Sequence, residues 1–386
     1  MLGLVPEVAP LPPETGELRA AVREFIVTDR ATHGWQPRVD SWISSWDPGF
    51  SRRLGERGWL GMTLPAEYGG PGRSYLDRFV VTEELLAHGA PVAAHWVADR
   101  QVAPALLAHG TSAQRAKYLP RIASGECYFA IGMSEPESGS DLASVRTRGV
   151  RTDGGWEVTG TKVWTSGAHH SEAFFVLART ADLDPAHRHD GLSQFLIPFD
   201  SPGIDIRPIR LLTGQHHFNE VVLDKVFVPD DMVVGAVGNG WQQVGAELSF
   251  ERSGPERILS PQPLLDAVGA RLRLRGADDD ELRTLGGLLA DLTTLRHLSA
   301  SVARALSDKQ PADLSAAVVK EIGTGFEQRA VTACAELVPE VPADPDSPVE
   351  LPRLLAEGLL HAPGFTLRGG TNEILRGVIA RGLGLR

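Results

Sequence analysis

Hydrophobic periodicity changes twice along this chain of 386 residues, and that order limits its fold more than any single motif does. Up to Glu126 apolar residues recur at helical spacing, as in Glu17 to Ile26, Phe79 to Leu86 and Val102 to Leu107. The Gly/Pro-rich stretch from Pro65 to Arg73 reads as a loop between helices. From Cys127 to Gly235 the pattern becomes short β-rich runs: Trp156-Glu157-Val158, Phe174 to Leu177, Gln194 to Ile197 and Val221 to Leu223. Turn residues such as Asp153-Gly154-Gly155 and Ser201-Pro202-Gly203 separate them. Beyond Trp241 helical spacing returns, notably in Leu285 to Leu306 and Ala316 to Leu337, with a polar proline-rich loop from Pro339 to Val349. No internal repeat or low-complexity tract interrupts this order. The sequence therefore predicts an α+β protein with a helical domain over 1–126, a β-domain over 127–235 and a second helical domain over 236–386.

Composition removes several function classes. With 42% apolar and 23% charged residues the chain can bury ordinary cores. A net charge of −11 argues against a general nucleic-acid binder, so no nucleic-acid partner is expected. The two cysteines, Cys127 and Cys334, cannot build a disulfide framework or a cysteine-based metal cluster. His169-His170 and His216-His217 have no acidic or cysteine partner at metal spacing, so no metal is expected. The first residues lack the basic and apolar regions of a signal peptide, and no apolar run reaches the roughly 20 residues of a membrane span. A soluble cytoplasmic protein is the expectation.

Two loops carry candidate chemistry. Ile131-Gly132-Met133-Ser134-Glu135-Pro136-Glu137-Ser138-Gly139-Ser140-Asp141 places small hydroxyl residues and glycine at a strand end, where backbone N–H groups and hydroxyls can meet a planar polar ligand. Alone, such a stretch is a solvated turn about as often as a binding loop. Gly160-Thr161-Lys162-Val163-Trp164-Thr165-Ser166-Gly167 offers an indole face and a neighbouring hydroxyl. A lone tryptophan is more often core than platform. Both loops within one β-domain are much harder to attribute to chance.

The SEPxxGSD and GxKxWTS patterns, in that order, resemble the flavin-binding signatures of the acyl-CoA dehydrogenase family. Gly58-Trp59-Leu60, Leu64 to Gly70, Ala108-His109-Gly110-Thr111, Tyr118-Leu119-Pro120 and Ser124-Gly125-Glu126 resemble its earlier part. Phe218-Asn219-Glu220-Val221, Val228-Pro229 and Gly369-Gly370-Thr371-Asn372-Glu373-Ile374 continue the likeness over nearly the whole chain. The resemblance implies the acyl-CoA dehydrogenase fold: an N-terminal helical domain, a central β-domain and a C-terminal four-helix bundle. It implies FAD, an acyl-CoA substrate and an electron-transfer flavoprotein or similar acceptor. Met133 and Ser134 would meet the flavin ring, Trp164 and Ser166 its other edge, and Ser140 the pantetheine arm. Thr371 and Glu373 match positions that meet the dinucleotide part of FAD. In the family reaction a glutamate removes the α-proton and the β-hydrogen leaves to flavin N5 as hydride. The enolate oxygen is stabilised by a ribityl hydroxyl and a backbone N–H.

The sequence departs from that family pattern in two places. The commonest members carry their base immediately before the glycine-threonine of the C-terminal signature, where this chain has Gly369. A minority place it on the first long C-terminal helix, where this chain has Leu248-Ser249-Phe250-Glu251-Arg252. A Glu-Arg pair on a helix is ordinarily a solvated salt bridge. The missing carboxylate at position 369 favours Glu251 as base, because the chemistry requires one. Glu256 competes, since Gly254 and Pro255 disrupt the helix between them. Arg252, Gly369 and Ser140 are expected to border substrate. The small or helix-bending residues Gly254, Pro255 and Gly369 point to a bulky or branched acyl group, such as a steroid side chain.

Homo-oligomeric members also carry an Arg-x-x-Phe-Gly segment, and a glutamine after it, that reach a neighbour's FAD. Here the stretch reads Leu272-Arg273-Leu274-Arg275-Gly276-Ala277-Asp278-Asp279-Asp280-Glu281, and acidic charge would repel a pyrophosphate. The expected partner is a homologous second subunit in an α2β2 assembly, with a homo-oligomer as the alternative. A flavin-sharing, non-catalytic subunit and an oxidase-like flavoprotein remain rival readings.

Overall fold

The computed structural model describes residues 6, 8–252 and 254–385, without the side chains of residues 246–251. The chain opens with helices α1 (Thr15–His33), α2 (Ser41–Ser44), α3 (Pro48–Glu56), α4 (Tyr75–Ala87), α5 (Ala93–Val97), α6 (Ala103–His109) and α7 (Ser112–Ala123). Their starts follow from local chemistry. Ser74 and Asp77 form a capping box on α4, and Thr111 and Gln114 form another on α7. Glycine at position 34, φ 71°, ends α1 in a left-handed turn that β-carbon sterics disfavour for other residues. The segment Val102 to Leu107 is not uniformly α-helical: a π turn over Ala98–Val102 precedes α6, whose first turn holds Pro104 where its missing N–H is harmless.

The middle of the chain forms β1 (Phe129–Gly132), β2 (Arg148–Thr152), β3 (Gly155–Ser166), β4 (Ala173–Arg179), β5 (Leu192–Pro198), β6 (Ile204–Arg210), β7 (His216–Pro229) and β8 (Val233–Val234). Among the described residues these make an eight-stranded sheet ordered β6-β7-β3-β2-β4-β5-β8, with β1 parallel to β4 off that path. Every residue of β4 is buried, in keeping with its apolar run from Ala173 to Ala178; the buried Arg179 at its end donates to the Ala143 and Asp190 carbonyls. Alternation sends Phe174 and Val176 to one core with Phe195, Ile197 and Val221, and Phe175 to another with Tyr118, Leu119 and Phe129.

Helices α8 (Gly240–Arg252), α9 (Gln262–Arg275), α10 (Asp279–Ser307), α11 (Asp313–Leu337), α12 (Glu350–Phe365) and α13 (Asn372–Gly382) complete the chain. In this part α11 packs on α9, α10, α12 and α13, and α9 packs on α12. The chain divides into two compact units. One holds α1, α2, α4 and α9–α13; the other holds α3, α5–α7 and the sheet. In the helical unit the buried carboxylates of Glu83 and Glu84 are satisfied by Arg19, Arg23 and Arg296. No helix among the described residues is long and apolar enough to cross a membrane.

Candidate active site

In the sheet unit, the loop after β1 and the strand β3 are joined by a buried ion pair. Lys162 is fully buried, and its Nζ lies 2.9 Å from Glu135 Oε1 and 3.0 Å from the Met133 carbonyl. The Glu135 carboxylate also accepts from the backbone N–H groups of Arg146 (2.6 Å) and Thr147 (2.8 Å). Burial works against its charge, but the Lys162 ammonium and these donors hold its carboxyl below the ordinary range. Burial likewise pushes Lys162 down to about 8, against the pull of Glu135. A backbone bond from Val163 N–H to the Ser134 carbonyl (2.9 Å) adds a second tie between the loops. Gly132 leaves close quarters at this junction: a Cβ there would lie 3.0 Å from the Phe174 ring and 3.1 Å from the Lys162 stem, so either side chain would have to give.

Trp164 stands where the β3–β7 pairing shifts register between Lys162 and Thr165. Its φ of 58° is left-handed, rare for a bulky residue, and the residue is 56% exposed. Phe218 meets its ring edge-on at a centroid distance of 5.9 Å. The bulge thus turns a large aromatic face outward while Thr165 beside it is fully buried. Ser166 is half-buried at the strand end, Met133 and Ser134 are half-buried, and Ser140 is exposed. An exposed indole, half-buried hydroxyls and backbone polar groups fit the flat heteroaromatic end of FAD.

The histidines nearby have structural partners. Asn219 donates to the Thr165 carbonyl (3.0 Å) and to His169 Nδ1 (3.1 Å), and it accepts from His216 Nε2 (2.7 Å). His169 stacks on His216 and also meets His170, both at 3.9 Å. Burial, then the two neighbouring imidazoles, push His169 down to about 4, so it is neutral near pH 7. Among the described residues no group of three or more His, Cys, Asp or Glu is placed to hold a metal ion.

In the helical unit, Gly369 and Gly370 both adopt left-handed backbone, with φ 66° and 89°. Arg252 at the end of α8 donates from Nε to the Gly369 carbonyl at 2.9 Å, so two residues expected to border substrate are in contact. Thr371 caps α13 by accepting from the Ile374 N–H (3.4 Å), and Glu373 lies exposed in that helix's first turn. Glu251 falls within α8, but its side chain lies outside the described residues. Glu256 sits in the turn Pro255–Arg257 and is almost wholly buried. The acidic stretch has a local role, because Asp278 caps α10 in a capping box with Glu281. Arg275 pairs with Glu281, and Arg271 with Glu340.

Lys162 and Glu135 lie within the two motifs, whose family pattern assigns them no role. The signal was available: a lysine between β-branched residues in a strand facing a carboxylate in the neighbouring loop. Asp40, buried behind the Gly369 loop, gave no comparable signal, because its partner Arg368 lies 328 residues away.

Residues 12–126, 130–226 and 238–384 match, in turn, the N-terminal, middle and C-terminal domains of acyl-CoA dehydrogenase. The chain is 36% identical over 386 residues to acyl-CoA dehydrogenase FadE29 of Mycobacterium tuberculosis (strain ATCC 25618 / H37Rv), covering 96% of each. It is 35% identical to acyl-CoA dehydrogenase IpdE1 of the same organism over 347 residues, 87% of each chain. Among solved structures it is similar to the Tcur3481-Tcur3483 steroid ACAD, with TM-score 0.86, 29% identity and coverage of 97% and 98%. The ChsE4-ChsE5 complex from Mycobacterium tuberculosis gives TM-score 0.82, 28% identity and coverage of 98% and 100%.

Proposed function

The chain belongs to the acyl-CoA dehydrogenase family, and we propose that it desaturates a bulky or branched acyl-CoA, such as a steroid side-chain thioester, with Glu251 as base. As a family member it is a FAD-dependent oxidoreductase acting on acyl-CoA. The observation that carries the finer reading is the Gly369-Gly370 pair. It leaves no carboxylate where the commonest members keep their base, and no side chain at a position expected to border substrate. Termination of α8 at Arg252, followed by Gly254-Pro255, supports a widened acyl cavity. The steroid ACAD among the similar structures points the same way.

On this reading Met133 and Ser134 hold the flavin ring from one loop, and Trp164 and Ser166 from the other. Ser140 meets the pantetheine arm, while Thr371 and Glu373 meet the dinucleotide end. Glu251 removes the α-proton, and Arg252 and Gly369 border the thioester. Bound FAD supplies the hydride acceptor, and an electron-transfer flavoprotein or similar protein then takes the electrons. A homologous second subunit completes the FAD site, and the similar ChsE4-ChsE5 structure, itself a complex, is compatible with such a partner. The absent carboxylate at Gly369 also favours one second reading, a flavin-sharing subunit whose partner holds the base.

Glu251→Gln tests the assignment. Shape is kept and the proton acceptor is lost, so flavin stays bound while its bleaching by thioester slows by about 10²–10⁴. Near-normal bleaching moves the base to Glu256 or to a partner. Substrate class is decided by kcat/KM on ring-bearing against straight-chain thioesters, and a clear preference for straight chains would sink the bulky-acyl reading.

A further inference from the structure

The loop that carries Gly369 is held by side chains rather than by its own backbone preference. Two successive glycines populate many conformations, so nothing intrinsic selects the observed one. At the ends of the loop, Lys320, fully buried in α11, donates to the Thr366 carbonyl (3.0 Å) and to Asn372 Oδ1 (2.7 Å). Between them, the residue just before Gly369 is Arg368. Its Nη1 lies 3.0 and 2.8 Å from the two carboxylate oxygens of Asp40, and its guanidinium stacks 4.7 Å above the Trp42 ring and 5.5 Å from Phe365.

Asp40 is itself fixed. It is buried, it has a left-handed φ of 58°, its N–H bonds the Ser260 carbonyl (3.0 Å), and His361 Nδ1 approaches its Oδ2 at 3.1 Å. A buried non-glycine residue in that conformation persists only where its surroundings over-determine it. Arg257 covers Trp42 as well, at 5.0 Å. Buried ion pairs contribute little net stability, but they can select one geometry among several.

We infer that Asp40 and Arg368 are positioning residues for the dehydrogenation: the buried pair sets the Gly369 carbonyl and, through its bond to Arg252, the end of the helix that carries Glu251. The inference rests on Glu251 as base and goes beyond it, because neither residue touches the reacting atoms.

The test uses the FAD-loaded enzyme, with its second subunit where one is needed. Asp40→Asn combined with Arg368→Gln removes both charges and keeps a neutral hydrogen-bonded pair, so no buried charge is stranded. The expected result is retained flavin and a flavin-reduction rate at saturating thioester lowered by about ten-fold or more, with KM changed far less. Arg368→Lys keeps the charge but loses the planar fork and the stacking, and it should show the same split between kcat and KM. A merely structural role would lower stability and flavin content while leaving the rate per bound flavin unchanged, and that result overturns the inference. If the double variant does not fold, Arg368→Lys decides alone, and wild-type rate per flavin in it is equally fatal. Glu251→Gln, run alongside, separates the two layers. If it bleaches normally, the base assignment and this inference fall together. If it is dead while the positioning variants react at wild-type rate, only the inference falls.

Discussion

The buried ammonium of Lys162 donates to the Met133 carbonyl at 3.0 Å, so one lysine joins the two loops that carry the flavin signatures. The same ammonium neutralises Glu135, whose carboxylate in turn holds the amides of Arg146 and Thr147. The spacing of these two loops is therefore set from within the core of the sheet unit.

Lys162→Met should strand the Glu135 carboxylate. Breaking a buried pair from one side typically costs about 3–5 kcal/mol. The variant should melt well below wild type and retain less FAD. Adding Glu135→Gln should recover much of the melting temperature, because the uncompensated charge is gone, without recovering full flavin affinity. Thermal melts with and without added FAD check both statements, and a Lys162→Met protein with normal flavin content would show that the loops do not depend on the pair.

Trp164 gives a prediction in which stability and cofactor binding part company. Its side chain is largely exposed and its backbone is left-handed, a conformation costing roughly 1–2 kcal/mol for a residue with a Cβ. Trp164→Gly removes that strain, which offsets much of the burial lost with the half-exposed ring, so the apoprotein should melt within a few degrees of wild type. Flavin affinity should fall, since the aromatic face is lost. Flavin fluorescence titration of the apoprotein reads the second effect, and unchanged affinity would remove Trp164 from the cofactor site.

Glu327 in α11 sets a pH dependence. It is fully buried, accepts from the Ser260 N–H at 2.8 Å, and burial pushes its carboxyl from 4.5 up to about 8. The folded state therefore binds a proton that the unfolded state releases between those values. The sign follows: its contribution is fully present below 4.5 and is lost as pH rises through about 8. Glu327→Gln mimics the protonated form, so the variant's advantage in melting temperature should grow from pH 5 towards pH 8. Parallel melts across that range decide it, and a constant difference would mean that Glu327 does not titrate there.

The helix–sheet–helix order was legible because each zone keeps one period over many residues, and all four β runs read from the sequence fall inside strands. The motif also singled out Trp164, which the structure finds exposed at a strand irregularity, while its proposed cofactor role and those of Ser166 and Gly369 rest on the family pattern. What the sequence hid was non-local or locally ambiguous. The π turn before α6 has no period of its own, and the Asp40–Arg368 pair spans 328 residues. Asp278 was legible as acidic charge but not as a cap, because an N-cap is recognised only once the start of its helix is known.

Assembly is the remaining prediction, and it turns on the stretch from Arg271 to Glu281. In homo-oligomeric family members an Arg-x-x-Phe-Gly segment in this region is expected to embrace a neighbour's FAD. Here Arg271 is paired with Glu340 and Arg275 with Glu281, both within the same chain, and Asp278 is committed to capping α10. Recruiting Arg271 or Arg275 to a pyrophosphate would require breaking its pair, and any arginine of the stretch, Arg273 included, would bring phosphate towards the acidic run Asp278-Asp279-Asp280, which carries like charge. Four copies of this chain would then share four incomplete sites. On the proposed reading, a homologous subunit bearing the missing segment would complete two sites in an α2β2 tetramer. The chain purified alone should be colourless or carry far less than one flavin per chain, and co-expression with such a subunit should yield a yellow complex with two flavins per tetramer. Mass measurement and the visible spectrum report both quantities on the same sample. A yellow, active homo-oligomer with one flavin per chain would refute the partner and show that this chain meets the phosphates by itself.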